Sequence, residues 1–254
     1  MAYVVVDGIS VRFGGLQALD SCSFSIKEGE ITCLVGPNGA GKTTIFNAVT
    51  GFLKPDAGTV RFRDRLITGL KPQAIVRAGI ARTFQNLRLF TEMSVLDNLM
   101  LALPEQFGEE PLTAIFRPIR TQKLGRERGR VAERALAETG LTARAHDLVR
   151  NLSYGEQKML SIARVLATGA DLLLLDEPAS GLDAEALDGA MALLRRLQAE
   201  GKTLLVVEHN TRVVQRIADT VMFLHQGRLL AQGSPDEITR DPHLTEIYFG
   251  GVLG

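Results

Sequence analysis

The sequence predicts an α/β fold with a parallel sheet as its core, a strand-rich first part and a helical insertion. Short β-rich runs open the chain, and a helical pattern follows from residue 93 to residue 166. Apolar strands then alternate with an amphipathic helix, which is typical of a parallel sheet covered by helices. With 254 residues, of which 45% are hydrophobic, we expect one large domain or a domain with an insertion.

The first part of the chain is predicted to consist mostly of strands. Its apolar runs are rich in β-branched and aromatic residues and are separated by glycines, which favour turns. A helix is expected to begin at Lys42, after the loop that follows the fourth run. The predicted strands cover residues 3–6, 11–13, 21–26, 31–35 and 59–62.

The middle and the end of the chain combine helices with further strands. Ser94 and Asp97 are spaced as a capping box ahead of an apolar run with one-face spacing, so a helix is expected to begin there. Ser234, followed by Pro235 and by Glu237, has the pattern of another helix start. A helix is predicted at Ala184–Ala199, and strands are predicted at residues 172–175, 203–207 and 221–224.

The charge of the chain is balanced, since 29 basic and 29 acidic residues leave no net charge. No global field therefore draws the chain onto nucleic acid or anionic lipid, and nucleic acid is not an expected partner. The segment 117–134 is a local exception, with seven basic and two acidic residues. It is either a solvated helix face or a docking surface for a partner or a lipid head group.

The cysteines and the chain start indicate an ordinary intracellular domain. Cys22 and Cys33 lie in strand-like apolar runs without metal-binding spacing, so we expect both to be core residues. The start lacks the pattern of a signal peptide, and no later run approaches the ~20 apolar residues of a membrane span. We therefore expect a cytosolic protein that acts at a membrane only through another protein.

A glycine-rich loop of the form GxxxxGK[ST] follows the predicted strand 31–35. Glycine lets the backbone wrap around phosphate groups, and the N–H groups of a helix N-terminus supply partial positive charge. Lys42 is expected to reach the outer phosphates and Thr43 to offer its hydroxyl to Mg²⁺. The alternative is a glycine turn with an exposed lysine. The predicted nucleotide-binding residues of this loop are Gly36, Pro37, Asn38, Gly39, Ala40, Gly41, Lys42, Thr43 and Thr44.

Two carboxylates, Asp176 and Glu177, directly follow the apolar strand 172–175. In open α/β sheets, the carboxyl end of a buried parallel strand faces the ligand crevice. Asp176 is expected to hold Mg²⁺ through water, and Glu177 to polarise an attacking water as general base. A strand that ends in acidic turn residues is also common without such a function.

The segment 152–157, LSYGEQ, resembles the LSGGQ signature of ABC ATPases. In that family the signature binds the γ-phosphate of ATP held by the opposite subunit. The resemblance thus implies a head-to-tail dimer in which Ser153, Gly155 and Glu156 help to sandwich ATP. Tyr154 and Glu156 depart from the commonest spelling, which leaves the strength of this sandwich open. On its own, the segment is also typical of a helix N-terminus capped by Ser153.

The same resemblance implies a P-loop NTPase core of the RecA-like type, with an N-terminal antiparallel β subdomain and an α-helical insertion subdomain. It places the catalytic core and β subdomain at about residues 1–86 and 160–254, and the helical subdomain at about residues 87–159.

Four further positions match functional residues of the family. Phe13 resembles the aromatic residue that stacks on adenine, with ordinary core packing as the alternative. Gln85 matches the glutamine that contacts Mg²⁺ and the attacking water, and His209 matches the switch histidine that contacts the γ-phosphate. Asp183 ends a segment, 180–183, that resembles the loop crossing the dimer interface, and it can equally cap the following helix.

Within the family, the stretch 83–99 and the ending 247–251 resemble the LivG-type ATPases of branched-chain amino acid importers. The resemblance implies ATP hydrolysis that powers import, with ATP and Mg²⁺ bound. The expected partners are a second ATPase subunit, identical or paralogous, and integral-membrane permease subunits. A periplasmic or extracellular solute-binding protein is an indirect partner, so the chain is expected on the cytoplasmic face of the inner (cell) membrane.

Other functions are open or disfavoured. An importer of urea, amides or another solute fits the same residues. A soluble ABC ATPase without a permease is a further alternative, although no coiled-coil insertion, zinc module or second cassette is visible. A GTPase or kinase is disfavoured because the chain lacks an NKxD motif. A scaffold without turnover is disfavoured because Glu177 and His209 are present.

Overall fold

The computed structural model describes residues 2–103 and 118–250, and of residues 118–124, 245 and 248–250 it describes the backbone alone. An antiparallel sheet has the order β2–β1–β4–β5, with β1 (Ala2–Phe13), β2 (Leu16–Lys27), β4 (Ala57–Phe62) and β5 (Arg65–Leu66). The predicted strands 3–6 and 11–13 form one strand, because register shifts on both sides of Ile9 keep the two halves paired with β2.

The second sheet has a parallel core and the order β10–β9–β3–β8–β7–β6. Its strands are β3 (Ile31–Val35), β6 (Ile80–Arg82), β7 (Leu172–Asp176), β8 (Thr203–Val207), β9 (Thr220–His225) and β10 (Arg228–Gly233). Neighbours pair in parallel except for β9 with β10. Strands β3 and β8 are buried along their whole length, which explains their continuous apolar sequences.

The sequence does not predict every strand. Strands β5 and β6 are only two and three residues long, too short for a periodic pattern. Strand β10 lies at the edge of its sheet and mixes polar with apolar residues.

Helices of varied length connect or follow the strands of the two sheets. They are α1 (Lys42–Val49), α2 (Pro72–Ala78), α6 (Ala184–Ala199), α7 (Thr211–Ile217), α8 (Pro235–Arg240) and α9 (Pro242–Gly250). The predicted helix at Ala184–Ala199 is confirmed, and Ser234 caps α8 together with Glu237 as expected. Helices α2 and α7 span seven residues each, so their sequences show too few turns to predict them.

A hydrophobic core joins both sheets and α1. Its buried side chains come from each of these elements and include Ile9, Val60, Leu34, Leu174 and Phe46. Cys22 belongs to this core, and burial raises the pKa of its thiol to about 11. Cys33 is also buried, and both cysteines are free thiols. The prediction that they are core residues is confirmed.

The chain divides into two compact units. The first comprises Met1–Arg82, Asp171–Ser180 and Leu187–Gly254, and it contains both sheets. The second comprises Thr83–Ala170 and Gly181–Ala186. This division gives the chain a strand-rich unit and a helical one, as the predicted fold class requires. The predicted boundaries at residues 87 and 159 stay a prediction.

The second unit is helical within the described residues. It contains α3 (Val95–Ala102), α4 (Pro118–Glu138) and α5 (Tyr154–Ala167), with 3₁₀ turns at Thr142–Arg144 and Val149–Asn151. Ser94 caps α3 by accepting a hydrogen bond from the Asp97 N–H, as predicted. The three helices share a core of their own, which includes Leu99, Leu136 and Leu160.

Two parts of the chain singled out from the sequence are only partly described. In the basic segment 117–134, Arg117 and the side chains up to residue 124 lie outside the described residues, as does the end of the segment 247–251. Farther along α4, Arg126, Arg130 and Arg134 are exposed at four-residue spacing. The docking function of this face stays a prediction.

Candidate functional site

The predicted site residues of the first unit gather at one edge of the parallel sheet. Because β3, β6, β7 and β8 run in the same direction, their carboxyl ends share that edge. The loop 36–41 leaves β3 there, Asp176 ends β7, and His209 follows β8. The fold thus brings together residues that are far apart in the sequence.

Two glycines of the loop 36–41 are required by their surroundings. Gly36 has a φ of 148°, and a Cβ atom there would lie 2.0 Å from the Leu224 carbonyl oxygen. Gly41 has a φ of 108°, and its Cβ atom would lie 2.7 Å from the Ala18 carbonyl oxygen. A side chain at either position would collide with backbone atoms, so the tight course of the loop depends on glycine. Such a loop lets successive backbone N–H groups surround an anion.

The loop leads into α1, whose N-terminus has no side-chain cap. The first N–H groups of an α-helix have no partner within the helix. At α3, α5 and α7, a side chain accepts from one of these groups, and the capping residues are Ser94, Ser153 and Asn210. The first turn of α1 instead presents its donors and the positive end of the helix dipole to a ligand, which favours an anion.

Lys42 is buried within the loop. Its Nζ atom donates to the carbonyl oxygen of Gly36 at 2.6 Å and to that of Pro37 at 2.9 Å. Burial lowers the pKa of Lys42, and the negative charges of Glu177 and Asp176 oppose this shift. Because the residue is only 8% exposed, the alternative of a glycine turn with an exposed lysine is wrong.

Asp176 is nearly buried at the end of β7 and is linked to α1 by an arginine. Burial raises the pKa of its carboxyl group, and the charge of Arg82 opposes that rise. Arg82 ends β6, and its Nη2 atom lies 4.0 Å from Asp176 Oδ2. Through Nη1 it donates to Asn47 Oδ1 of α1 at 2.7 Å. A buried cation thus joins the acidic strand end to the helix behind the loop.

Glu177 and His209 contact each other at the ends of neighbouring strands. His209 Nε2 lies 2.9 Å from Glu177 Oε1, and the side chains are 36% and 21% exposed, respectively. Glu177 has a φ of 48°, which is uncommon for a residue with a side chain. Its N–H donates to the Val207 carbonyl oxygen at 2.9 Å, which holds this backbone conformation against β8. A partly exposed carboxylate held in this way can accept a proton from water.

Glu208 stands between these two segments and is 2% exposed. Its Oε1 atom accepts from the Ala179 N–H at 2.9 Å, and its Oε2 atom from the His209 N–H at 3.3 Å. The sequence alone does not predict a role for either Glu208 or Arg82. The signal that points to them is a charged residue at the very end of an apolar strand, which on its own is too common to assign a function.

Thr43 at the start of α1 and Asp176 at the end of β7 offer oxygen ligands to a divalent cation. Within the described residues, no group of three or more His, Cys, Asp or Glu side chains is arranged to hold a metal ion. A hydroxyl and one carboxylate are the kind of ligands that Mg²⁺ takes when phosphate oxygens and water complete its coordination. The donor set therefore fits Mg²⁺ that is bound together with a nucleotide.

Phe13 lies at the tip of the β1–β2 hairpin, paired in register with Leu16. Its side chain is 52% exposed, so the alternative of ordinary core packing is wrong. Farther along β2, the Ala18 oxygen and the Leu19 side chain lie against Gly41 of the loop. The hairpin thus carries an exposed aromatic ring next to the strand that packs on the loop, and such a ring can stack on a planar base.

In the second unit, Ser153 caps α5 through a capping box. Its hydroxyl accepts from the Glu156 N–H at 3.2 Å, and the Glu156 carboxylate accepts from the Ser153 N–H at 2.8 Å. The bond from the Ser153 N–H is the main cause that lowers the pKa of Glu156. The predicted alternative of a capped helix N-terminus is confirmed. Ser153 is nevertheless exposed, and its hydroxyl also bonds to the Glu156 carboxylate.

The rest of the second unit's site residues lie around the start of α5 or before α3. A Cβ atom at Gly155 would lie 3.4 Å from Ala186 Cβ, so α5 packs closely on the segment 181–186. In that segment, Asp183 Oδ1 accepts from the Ala186 N–H at 2.9 Å and caps α6, as one alternative predicted. Gln85 is exposed in the segment that follows β6. The predicted residues are therefore divided between the two units.

Comparisons with known proteins match this chain to one family. The ABC transporter family model matches residues 19–180. The high-affinity branched-chain amino acid transport ATP-binding protein LivG of Salmonella typhimurium is 41% identical over 254 residues, which cover 97% of each chain. The corresponding protein BraF of Pseudomonas aeruginosa is 38% identical over 246 residues, which cover 96% of each chain.

Solved structures show the same fold. A nucleotide-free ATP-binding cassette from an ABC transporter has a TM-score of 0.86 at 31% identity, covering 98% of this chain and 99% of that one. Another cassette, in its ADP conformation, has a TM-score of 0.85 at 31% identity and the same coverage. A dimeric cassette bound to ADP and Pi has a TM-score of 0.76 at 26% identity, covering 91% and 98%. The predicted α/β fold with a P-loop NTPase core is confirmed.

Proposed function

The chain belongs to the ABC transporter family, and from this we propose that it is the ATP-hydrolysing subunit of a branched-chain amino acid importer. The relatives LivG and BraF, which match almost the whole chain, are branched-chain amino acid transport ATP-binding proteins. Hydrolysis is supported above all by the 2.9 Å contact between Glu177 and His209, at the edge of the sheet where the loop 36–41 begins.

Glu177 is the general base of this proposal. Its carboxylate takes a proton from a water molecule as the water oxygen forms a bond to the γ-phosphorus, and the bond from that phosphorus to the ADP oxygen breaks. His209 orients Glu177 and contacts the γ-phosphate. Gln85, by its match to the family glutamine, contacts the attacking water.

Nucleotide binding is proposed for the loop 36–41 with the start of α1. The uncapped N–H groups of α1 and the loop backbone surround the phosphates, with Thr44 continuing the same turn. Lys42 exchanges its bonds to Gly36 and Pro37 for bonds to the outer phosphates. Phe13 stacks on the adenine ring from the hairpin tip.

Mg²⁺ is proposed to bind with the nucleotide. Thr43 would hold the ion directly and Asp176 would hold it through water. Gln85 would be a third contact to the ion, as its match to the family glutamine implies. When bound, the ion neutralises charge that develops on the phosphate oxygens. Burial raises the pKa of Asp176, and the charge of Arg82 opposes this rise and so favours the ionised carboxylate.

Two subunits, identical or paralogous, are proposed to meet head to tail around two ATP molecules. Ser153, Gly155 and Glu156 of one subunit then face the γ-phosphate bound by the other, and Asp183 lies at the crossing between them. The dimeric cassette bound to ADP and Pi supports this arrangement. Since each site needs both subunits, the chain alone should hydrolyse ATP slowly.

The proposed setting is the cytoplasmic face of the inner membrane. There the subunits bind integral-membrane permeases, and a periplasmic or extracellular binding protein delivers the solute. The names of the LivG and BraF relatives support amino acid import. In the described part of the chain, every helix is too short or too polar to span a bilayer.

Replacing Glu177 with glutamine tests the proposed base. Glu177→Gln keeps the shape of the side chain and removes its ability to take a proton. We expect turnover to fall by at least about 100-fold, while ATP still binds and shifts the protein towards a stable dimer. Phosphate release and gel filtration with ATP measure the two effects.

A matched control is Glu200→Gln, which changes an exposed glutamate directly after α6. Its hydrolysis rate should equal that of the wild type. A Glu177→Gln protein that hydrolyses ATP at close to the wild-type rate would show that another group is the base.

A further inference from the structure

We propose that Glu208 is a positioning residue that holds Glu177 and His209 in the geometry needed for hydrolysis. The inference rests on the proposed function, because it takes Glu177 as the base. It adds a residue that touches neither the nucleotide nor the water in this mechanism and acts through the backbone of both catalytic segments.

The carboxylate of Glu208 accepts hydrogen bonds from two backbone segments, the one that follows Glu177 and the one that contains His209. Oε1 of Glu208 accepts from the Ala179 N–H at 2.9 Å, two residues after the base. Oε2 accepts from the N–H of His209 at 3.3 Å. The same side chain therefore sets the separation between the turn that follows β7 and the residue that leaves β8.

The catalytic contact depends on that separation. Glu177 has a positive φ, and the turn it opens is closed by a bond from the Ser180 N–H to the Glu177 carbonyl oxygen at 3.3 Å. Ala179 lies inside this turn, so its bond to Glu208 holds the turn against β8. Without that acceptor the turn is expected to relax, and the carboxylate of Glu177 would move away from His209.

The Glu208 side chain that accepts these hydrogen bonds is buried, unlike a surface side chain. Glu208 is 2% exposed, and a buried acidic group is stable only when hydrogen bonds replace its lost hydration. An apolar residue would continue the apolar strand β8 without that requirement. The position of Glu208, between the base and its histidine, gives a catalytic reason for a polar group there.

Asp219 provides a matched control from the opposite edge of the sheet. Its Oδ2 atom accepts from the Ile31 N–H at 2.8 Å, and Gln198 and Arg195 also contact its carboxylate. Asp219 therefore also joins backbone and side chains of the parallel sheet, but at the start of β3. Asp219→Asn should weaken the fold without moving Glu177.

The test compares Glu208→Ala and Glu208→Gln in the full-length protein. Glutamine keeps the size of the side chain and one accepting oxygen. Its NH₂ group, which cannot accept a hydrogen bond, then faces the second backbone N–H. We expect kcat to fall about 100-fold in Glu208→Ala and about tenfold in Glu208→Gln, since small displacements of catalytic groups have effects of this size. KM for ATP and the affinity for trinitrophenyl-ATP should stay within about twofold, because the loop 36–41 is unchanged.

Three outcomes would overturn the inference. The first is a folded Glu208→Gln protein with wild-type kcat. The second is a parallel loss of kcat and nucleotide affinity, which indicates general damage. The third is an equal loss of kcat in Asp219→Asn. If Glu208→Ala does not fold, Glu208→Gln decides. A wild-type protein that hydrolyses no ATP would instead refute the proposed function.

Discussion

Arg82 illustrates how one buried side chain can serve several neighbours. Its guanidinium lies 4.0 Å from Asp176, bonds to Asn47 and sits over the ring of Phe46 with a centroid distance of 5.5 Å. Only 6% of its side chain is exposed. A buried cation is stable only when such partners surround it, and the acid it faces is equally dependent on it.

We expect Arg82→Leu to lower the free energy of unfolding by about 3 kcal/mol, because it leaves a buried carboxylate without its cation. Arg82→Lys should recover only part of this loss, since an ammonium cannot reproduce the planar fork of donors. Urea unfolding at neutral pH measures both variants.

The control for Arg82 is an exposed ion pair between Arg216 and Asp188, whose side chains are 54% and 66% exposed. Arg216→Ala should change stability by less than about 1 kcal/mol. Equal effects of Arg82→Leu and Arg216→Ala would mean that burial of Arg82 contributes nothing to its role.

At the scale of elements, the helix N-termini differ in what satisfies their N–H groups. Helices α5 and α8 begin with the same capping box, formed by Ser153 with Glu156 and by Ser234 with Glu237. Helix α1 has no side-chain cap. The N-terminus of α1 thus favours an anion through its backbone, whereas α5 begins with a serine hydroxyl.

We expect Ser153→Ala and Ser234→Ala each to destabilise the protein by about 1 kcal/mol, the usual effect of removing a cap. Only Ser153→Ala should also slow ATP hydrolysis, because its hydroxyl is proposed to bind the γ-phosphate of the other subunit. Thermal unfolding and phosphate release measure the two effects.

Equal hydrolysis rates in Ser153→Ala and Ser234→Ala would limit Ser153 to its role as a helix cap. The matched stability losses are essential to this comparison, since they remove global destabilisation as an explanation for a slower rate.

At the scale of the whole molecule, the predicted site residues are divided between the two units. The first holds the loop 36–41, Glu177 and His209, and the second holds Ser153 and Asp183. In the proposed head-to-tail dimer, Glu177 of one subunit acts on the same ATP as the segment 152–157 of the other subunit. Two inactive proteins with different defects should then complement each other.

Mixing Glu177→Gln protein with Ser153→Arg protein tests this division. Each protein alone should be inactive, because each defect is present in both sites. Mixed dimers contain one intact site, so an equimolar mixture should recover up to about a quarter of the wild-type rate if subunits pair randomly in a symmetric dimer. A mixture no more active than its components would contradict sites shared between subunits.

Much of the fold was predictable where residues carry strong local signals. Apolar strands such as β8 and helices such as α6 have the lengths expected from their patterns. The shortest elements, β5 and β6, were not predictable because a few residues show no period. The pairing of β6 with β7 depends on neighbours that lie far away in the sequence.

The sequence by itself determined the family and the candidate site, since the glycine loop, the acidic strand end and the segment 152–157 are local motifs. Only the tertiary structure decided which side chains meet. The order of the parallel strands places Glu177 against His209, buries Glu208 between their segments and brings the buried Arg82 to Asp176. The physical reason is that hydrogen bonds and burial depend on distances in space, and a local sequence motif does not encode those distances.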